Sequence, residues 1–257
     1  MSYERRIKEC VTEEKLFEIW KSKEALVHQY QYEKESREVT INHNNIFISD
    51  GVVNQEVWYN NPDKKRILFI LKEAYGGEKD WSLAEELSLK DPWSSIWKRV
   101  IEWTYGIQNT TASKIAKYST SEISMSANND YLNQIAVLNI KKSGGKSSSN
   151  MSEIMGYADA NRIEIRRQIE IIDPDIIICG YTIEPLNFIY DGKIKTKNNY
   201  CDNWYYYTNE IGERERMIID YYHPANQYPA LMNYYGIVNV YQQALLYKNA
   251  GTSKMLM

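Results

Sequence analysis

The sequence predicts an α/β fold: a three-layer αβα sandwich around a central, mostly parallel four-stranded sheet. Four short apolar runs, Ile67–Leu71, Ile135–Leu138, Ile176–Cys179 and Met217–Ile219, are continuous rather than alternating, as strands buried on both faces are. Segments of helical period lie between them, and strands alternating with helices build parallel sheets covered on both sides. Each run also breaks off into reactive or permissive residues: Lys72-Glu73-Ala74-Tyr75-Gly76-Gly77, Asn139-Ile140-Lys141-Lys142, Gly180, and Tyr221-Tyr222-His223-Pro224-Ala225-Asn226. Ligands of open α/β sheets bind beyond the carboxyl ends of the strands. Glu73, Asn139 and His223 are therefore expected around one pocket.

The elements follow in order. Thr12, with Glu13 and Glu14 after it, reads as a helix start, and Leu16, Ile19, Trp20 and Val27 lie at helical spacing. Residues 29 to 45 are polar and open to either reading. Ile46–Ile48, the Asp50-Gly51 pair and Val52–Trp58 read as a hairpin. After the first parallel-type strand, Asp91-Pro92 opens a helix that buries Trp93, Ile96, Trp97, Val100 and Ile101, with Gly106 as its stop. Residues 109 to 130, rich in Ser, Thr and Asn, read as an irregular or weakly helical insertion. Ile154, Met155, Ala158, Ile165, Ile169 and Ile172 mark one long helix that ends at Pro174. A strand over Trp204–Thr208 and a helix from about Ala230 to Tyr247 complete the chain. Residues 1–60 form a helical and hairpin extension packed on the core domain at 61–250, and no repeat or linker divides the two into separate units.

The 257 residues suffice for one substantial core, and 43% hydrophobic and 25% charged content is ordinary for a globular chain. No apolar stretch is long enough to span a bilayer, and the first residues lack a signal-peptide core, so a cytoplasmic protein without a membrane partner is expected. Cys10, Cys179 and Cys201 are odd in number and widely spaced, which fits buried thiols and neither a disulfide framework nor a metal site. A net charge of −3 argues against a general nucleic-acid coat but leaves room for a local basic groove. Lys141, Lys142 and Lys146, or Lys193, Lys195 and Lys197, are candidates to touch phosphates, against the ordinary reading of solvated charge. The chain carries 22 tyrosines and 7 tryptophans but 4 phenylalanines, and such amphipathic rings suit stacking on bases as well as core and rim positions.

The order of these strand-end motifs resembles that of the uracil-DNA glycosylase superfamily, particularly its bacterial branches outside the best-known uracil enzyme. Lys72-Glu73-Ala74-Tyr75-Gly76 matches a first motif that often reads Gly-Glu-Ala-Pro-Gly. Asn139 and Lys142 match Asn-x-x-Lys, Asp173-Pro174-Asp175 through Gly180 matches a Pro-x-(apolar run)-Gly segment, and His223-Pro224-Ala225 matches His-Pro-(Ser/Ala). The resemblance covers roughly residues 62 to 247 and implies a uracil-DNA glycosylase-like fold. The departures are informative. Lys72 and Tyr75 replace the first glycine and the proline. Ala74 stands where the best-known branch carries its water-activating aspartate, and the cysteines of an iron–sulfur cluster are missing. Gly76 stands where a tyrosine ring can exclude a 5-methyl group, so the side of the pocket next to pyrimidine C5 should be open.

The chemistry implied is base flipping followed by cleavage of an N-glycosidic bond, which builds negative charge on the departing base and positive charge on the sugar. His223 is the expected donor to pyrimidine O2; Asn139 the reader of the base edge; Glu73 the group that positions water and steadies the oxocarbenium ion. Each has an ordinary structural alternative: a looped histidine, an asparagine satisfying backbone, a carboxylate paired with Lys72 or Lys142. Ala74, Tyr75, Gly76 and Trp81 are the expected base-binding residues, with Lys142, Lys146, Asn226 and Tyr228 on the DNA. No metal and no cofactor is expected, and a monomer acting on DNA is.

The expectation is therefore a monofunctional DNA glycosylase excising a non-standard, C5-modified pyrimidine. A hypermodified cytosine of phage DNA, such as glucosylated hydroxymethylcytosine, would make it an antiviral defence enzyme. Plain uracil repair is the alternative within the class; a non-catalytic reader of a modified base or nucleotide is the alternative outside it. A nucleotide hydrolase ranks below both, for want of a phosphate loop or paired metal carboxylates.

Overall fold

Seven strands, not four, make the central sheet of the computed structural model, which describes residues 1–89, 95–120, 123, 129–194, 196–200, 204–211 and 214–254. The elements in chain order begin with α1 (Tyr3–Lys8), α2 (Glu13–Lys21), β1 (Leu26–Tyr32), β2 (Glu35–Ile41), β3 (Ile48–Ser49), β4 (Gly51–Val52) and α3 (Gln55–Asn60). Next come β5 (Ile67–Tyr75), β6 (Trp81–Ser82), α4 (Leu83–Leu89), α5 (Ser95–Asn109), α6 (Asn129–Leu132), β7 (Ile135–Gly145), α7 (Met151–Ala160) and α8 (Arg162–Ile172). The last are β8 (Ile176–Gly180), α9 (Ile183–Ile189), β9 (Thr196–Tyr200), β10 (Trp204–Ile211), β11 (Arg214–Tyr221) and α10 (Ala230–Lys254).

The sheet order is β4-β7-β5-β8-β11-β10-β9. The four apolar runs are its parallel centre, β7-β5-β8-β11, and antiparallel strands extend both edges. Period-two alternation divides their side chains between two cores. Leu68, Ile70, Ala136, Leu138, Ile177, Cys179 and Ile218 join the face covered by α1, α2, α7, α8 and α9. Ile67, Phe69, Leu71, Ile135, Val137, Ile176, Ile178 and Ile219 join the face covered by α4, α5 and α10. The architecture is thus mixed α/β, with helices on both sides of a sheet whose centre is parallel.

The N-terminal 60 residues belong to the same core: Ile7, Leu16, Ile19, Trp20 and Ile41 are buried in it. Thr12 caps α2 as its sequence indicates, its side chain accepting from Lys15 N. The expected hairpin at Asp50-Gly51 does not form. β3 pairs with β6 and β4 with β7, so Asp50 is a corner between two sheets, and Trp58 lies in α3. The hairpin is instead β1–β2, turning through Glu33 and Lys34, both at positive φ (51° and 66°) without the usual Asn-Gly signature.

Two further expectations change. Gly106 does not stop α5. It lies inside the helix, where a Cβ would come within 2.5 Å of the Val238 side chain, so it lets α10 pack close. The long helix is two helices, broken at the buried Asn161, whose backbone leaves the helical region at φ −119°. Asp91-Pro92, Trp93, Lys195 and Cys201 lie outside the described residues; Cys10 and Cys179 are buried free thiols. Among the described residues no helix is long and apolar enough to cross a membrane.

A buried polar network joins the N-terminal segment to the sheet. Asp50 accepts from Lys142 Nζ (2.5 Å), Asn139 N (2.7 Å) and Gln168 Nε2 (2.9 Å), and the Asp50 and Lys142 side chains are wholly enclosed. Glu13 accepts from Val52 N (3.0 Å) and Gln168 Nε2 (3.1 Å), which pins β4 to α2 and α8. Burial lifts the Glu13 pKa from 4.5 to about 7, against the hydrogen bonds from Val52 and Gln168. A carboxyl raised in the folded state holds more protons there than in the unfolded chain, so its contribution to stability falls as pH rises from about 4.5 to 7. Glu13→Gln removes this titration. Thermal or urea unfolding from pH 4.5 to 8 should therefore show the wild type losing stability relative to the variant across that window, by up to about 3 kcal/mol. Parallel curves would show Glu13 ionising as freely in the fold as outside it.

Candidate functional site

From β5 the chain steps out to β7 on one side, then returns past it to β8 on the other. The strand order reverses between β5 and β8, which is where such a sheet opens a crevice at its carboxyl ends. Register aligns Leu71, Gly180 and Tyr221 across β5, β8 and β11, so Lys72, Tyr181 and Tyr222 stand one residue beyond, at the rim. Thr182 Oγ1 donates to Ile70 O (2.7 Å) and ties the end of β8 to β5. Gly180 is needed here, since a Cβ would meet Leu71 at 2.7 Å and Pro224 at 3.3 Å. Its absence lets the His223-Pro224 turn fold down over the strand end.

His223 is fixed in one tautomer. Its Nδ1 accepts from Ala225 N (3.1 Å), which leaves the ring hydrogen on Nε2 as a donor. Burial lowers its pKa to about 4, and the charge of Lys72 acts in the same direction, so the ring is neutral at physiological pH. The loop that carries it is rigid for a local reason. Asn226 and Asn233 exchange reciprocal amide hydrogen bonds (2.9 Å each), and Asn226 also donates to His223 O (2.9 Å) and accepts from Tyr228 N (3.0 Å). Arg99 Nη1 reaches Asn226 Oδ1 at 3.3 Å from α5.

Glu73 lies beside the crevice and faces a second feature. Its carboxylate accepts from Lys141 Nζ (3.0 Å), which also donates to Glu153 (2.8 Å). Burial works against the Lys141 ammonium, but Glu153 and Glu73 outweigh it and its pKa ends above the usual value. Lys141 lines a polar cavity of about 350 Å³ between the ends of β5 and β7 and the segment after β2. Gly76, Gly77, Gly144 and Gly145 form the strand-end wall, and Tyr157 the floor, with its hydroxyl accepting from Ser143 Oγ (2.8 Å). Asn42 and Asn45 form the opposite wall. Asn42 Oδ1 accepts from Asn44 N (3.0 Å), and its NH2 group has no partner among the described residues.

The residues singled out from sequence are placed as follows. Lys72 and His223 stand near each other at the strand ends, Gly76 lines the cavity, and Glu73 is enclosed beside it against Lys141. Asn139 does not: it is 2% exposed, its backbone and, at 3.4 Å, its amide turned to Asp50. Lys142 is equally enclosed by Asp50, beneath the Phe17 and Trp20 rings, and no phosphate can reach it. Asn226 is consumed in holding its own loop rather than offered to DNA. Ala74 packs into the core at 8% exposure. Tyr75 and Trp81 sit across the 75–81 loop from the cavity, on an open groove of about 910 Å³ shared with Trp97. Lys146 is exposed just past β7, and Tyr228 is half exposed against Tyr222, ring centroids 5.1 Å apart.

Asn42, Asn45 and Tyr157 were not singled out from sequence. The only local signal was an unexplained run of small polar residues after residue 40. Among the described residues no group of three or more His, Cys, Asp and Glu side chains could hold a metal ion. No protein-family model matches the chain, and no curated protein matches it.

The reciprocal amide pair makes a direct prediction. Asn226→Ala leaves the Oδ1 of Asn233, 2% exposed in the wild type, without its donor, while Asn233 Nδ2 keeps Tyr228 O (3.0 Å) and Pro229 O (3.3 Å), and should cost about 1–3 kcal/mol in urea unfolding. An unchanged midpoint would mean that the His223 loop does not depend on this pair.

Proposed function

We propose that the chain is a DNA glycosylase that flips out a non-standard pyrimidine and hydrolyses its N-glycosidic bond. The observation that carries the reading is His223, a neutral imidazole whose Nδ1 is engaged by Ala225 N so that the ring hydrogen sits on Nε2, at the carboxyl end of the parallel strands. A neutral donor is what the reaction needs: its hydrogen bond strengthens as pyrimidine O2 gains charge, which stabilises the transition state more than the ground state. Glu73, held by Lys141, is the carboxylate for the sugar side, where it steadies the oxocarbenium ion and orients water.

In this reading the extruded base enters the cavity lined by Gly76 and Gly77, and its edge meets Asn42 and Asn45 rather than Asn139. Carboxamides offer both a carbonyl and an NH2, so they suit uracil and cytosine edges alike. A Cβ built on Gly76 would meet nothing within 4 Å, which favours a pyrimidine enlarged at C5 over plain uracil. Hypermodified phage cytosines are the substrate class of that description, and an enzyme releasing them would serve antiviral defence. The alternative, a reader that binds an extruded base without cleaving it, draws on Ala74, whose methyl group supplies no general base. Mass spectrometry of bases released from a panel of genomic DNAs, phage DNAs with modified pyrimidines included, separates the two. Release of a single modified pyrimidine is the expected result; retention of DNA with no base released would favour the reader.

His223→Ala should lower the single-turnover rate of base release by roughly 10² to 10³, the usual cost of one donor aimed at a developing oxyanion. A variant with weaker DNA binding but an unchanged chemical step would remove His223 from that role.

Substrate choice tests Gly76. Its φ of +82° penalises any side chain, so Gly76→Ala serves as the control for backbone strain, about 1–2 kcal/mol, without adding a ring. Relative to that control, Gly76→Tyr should suppress cleavage of a C5-extended pyrimidine far more than cleavage of uracil in the same oligonucleotide. Equal suppression of both would return uracil repair to first place.

A further inference from the structure

Lys72 is unlike the other lysines placed near it. Lys141 and Lys142 are each bonded to carboxylates, and Lys65 donates to Gln108 O at 2.8 Å. Lys72 is half buried at the rim of the crevice, yet it forms no ion pair or hydrogen bond with any described residue. Its one close partner is the face of Tyr181, with Nζ 4.9 Å from the ring centroid. Tyr181 is held for that contact at φ 64°, an uncommon conformation for a bulky residue, by hydrogen bonds from its N–H to Cys179 O (2.9 Å) and Tyr221 O (3.0 Å). Such a ring shields one side of the amine without taking its lone pair. Burial lowers the Lys72 pKa, with the Glu73 charge in opposition, so more of the amine is neutral than on an exposed lysine.

We propose that Lys72 is an amine nucleophile, and that the protein is an abasic-site lyase as well as a glycosylase. The inference rests on the reading above only in taking the crevice as the site of a DNA sugar. Base release leaves a deoxyribose whose ring-opened form carries an aldehyde at C1′. The Lys72 nitrogen adds to that carbon; the carbinolamine loses water and becomes an iminium ion, a Schiff base of the kind desolvated lysines form with carbonyls. The iminium acidifies the C2′ hydrogen. A water molecule takes that proton; the electron pair forms the C2′–C3′ double bond and the 3′ C–O bond breaks, with phosphate leaving. Water then hydrolyses the conjugated imine and restores the amine. Nothing is oxidised or reduced, and no further reactant is needed.

The test uses the full chain and an oligonucleotide with a preformed abasic site, so that no base need be released. With sodium borohydride, which reduces the imine, a covalent protein–DNA adduct should appear on a denaturing gel, and peptide mapping should place it on Lys72. Without borohydride the strand should be cut on the 3′ side of the site. Lys72→Arg and Lys72→Met should lower adduct formation at least about 100-fold, while binding to a tetrahydrofuran abasic analogue stays within a few-fold. No adduct from the wild type, or an adduct mapped to another amine, overturns the proposal; mapping the wild-type adduct decides the matter even where a variant fails to fold. Base release without an adduct leaves the glycosylase standing and removes the lyase. An adduct without base release keeps Lys72 and removes the glycosylase.

Discussion

The enclosed carboxylate of Asp50 is the constraint from which the rest of the architecture follows. A buried charge without partners costs several kcal/mol, so its surroundings must converge on it. They come from two distant elements, Lys142 Nζ and Asn139 N from β7 and Gln168 from α8, onto Asp50 at the corner between β3 and β4. Glu13 adds α2 through Gln168 and Val52. Removing one member strands the others, so the N-terminal 60 residues cannot detach as an appendage. They are fixed against the central sheet, and the wall of the cavity formed by Asn42 and Asn45 is fixed with them.

That network also explains which parts were legible in the sequence. The four parallel strands were, because a continuous apolar run buried on both faces is a local signal. The placement of Glu73 and His223 at strand ends was legible too, because each follows one of those runs closely. Asn139 and Lys142 were misleading. Period-two alternation puts Lys142 on the same face as Ala136, Leu138 and Ile140, and a charge pointing into a core requires a counter-charge. That counter-charge is 92 residues away, in a pair that reads locally as a hairpin turn. Asp-Gly carries the same turn chemistry whether it joins two paired strands or turns a corner between two sheets, and only the long-range pairing of β4 with β7 decides. Gly106 failed for a similar reason: a glycine that ends a helix and one that admits a neighbouring helix are identical until Val238 and Tyr234 are placed.

Neighbouring lysines show how far environment outweighs residue type. Lys141 bridges two carboxylates, Lys142 is sealed against one, and among the described residues Lys72 meets an aromatic face. The first organises the cavity wall and the second the fold. The third stands where the strand order reverses. Within the cluster read from sequence, Lys141 and Lys142 therefore take separate structural roles once partners are known, and Lys146 alone is exposed.

The glycines fix the shape of one side of the cavity. A Cβ on Gly145 would fall 2.6 Å from Ala74 O, and one on Gly144 would fall 3.1 Å from Gly76 O. At Gly144 and Gly145 the ends of β5 and β7 approach too closely for side chains, so that part of the cavity wall is backbone and cannot grow by substitution without moving a strand, whereas a Cβ on Gly76 meets open space. Gly76 and Gly77 add two positive φ values to the same rim and lock its shape further. Size and hydrogen-bonding pattern are then left to the opposite wall, Asn42 and Asn45, in a segment without regular structure after β2. The cavity thus joins a backbone wall at the strand ends to a polar segment of the N-terminal region that the Asp50 network anchors.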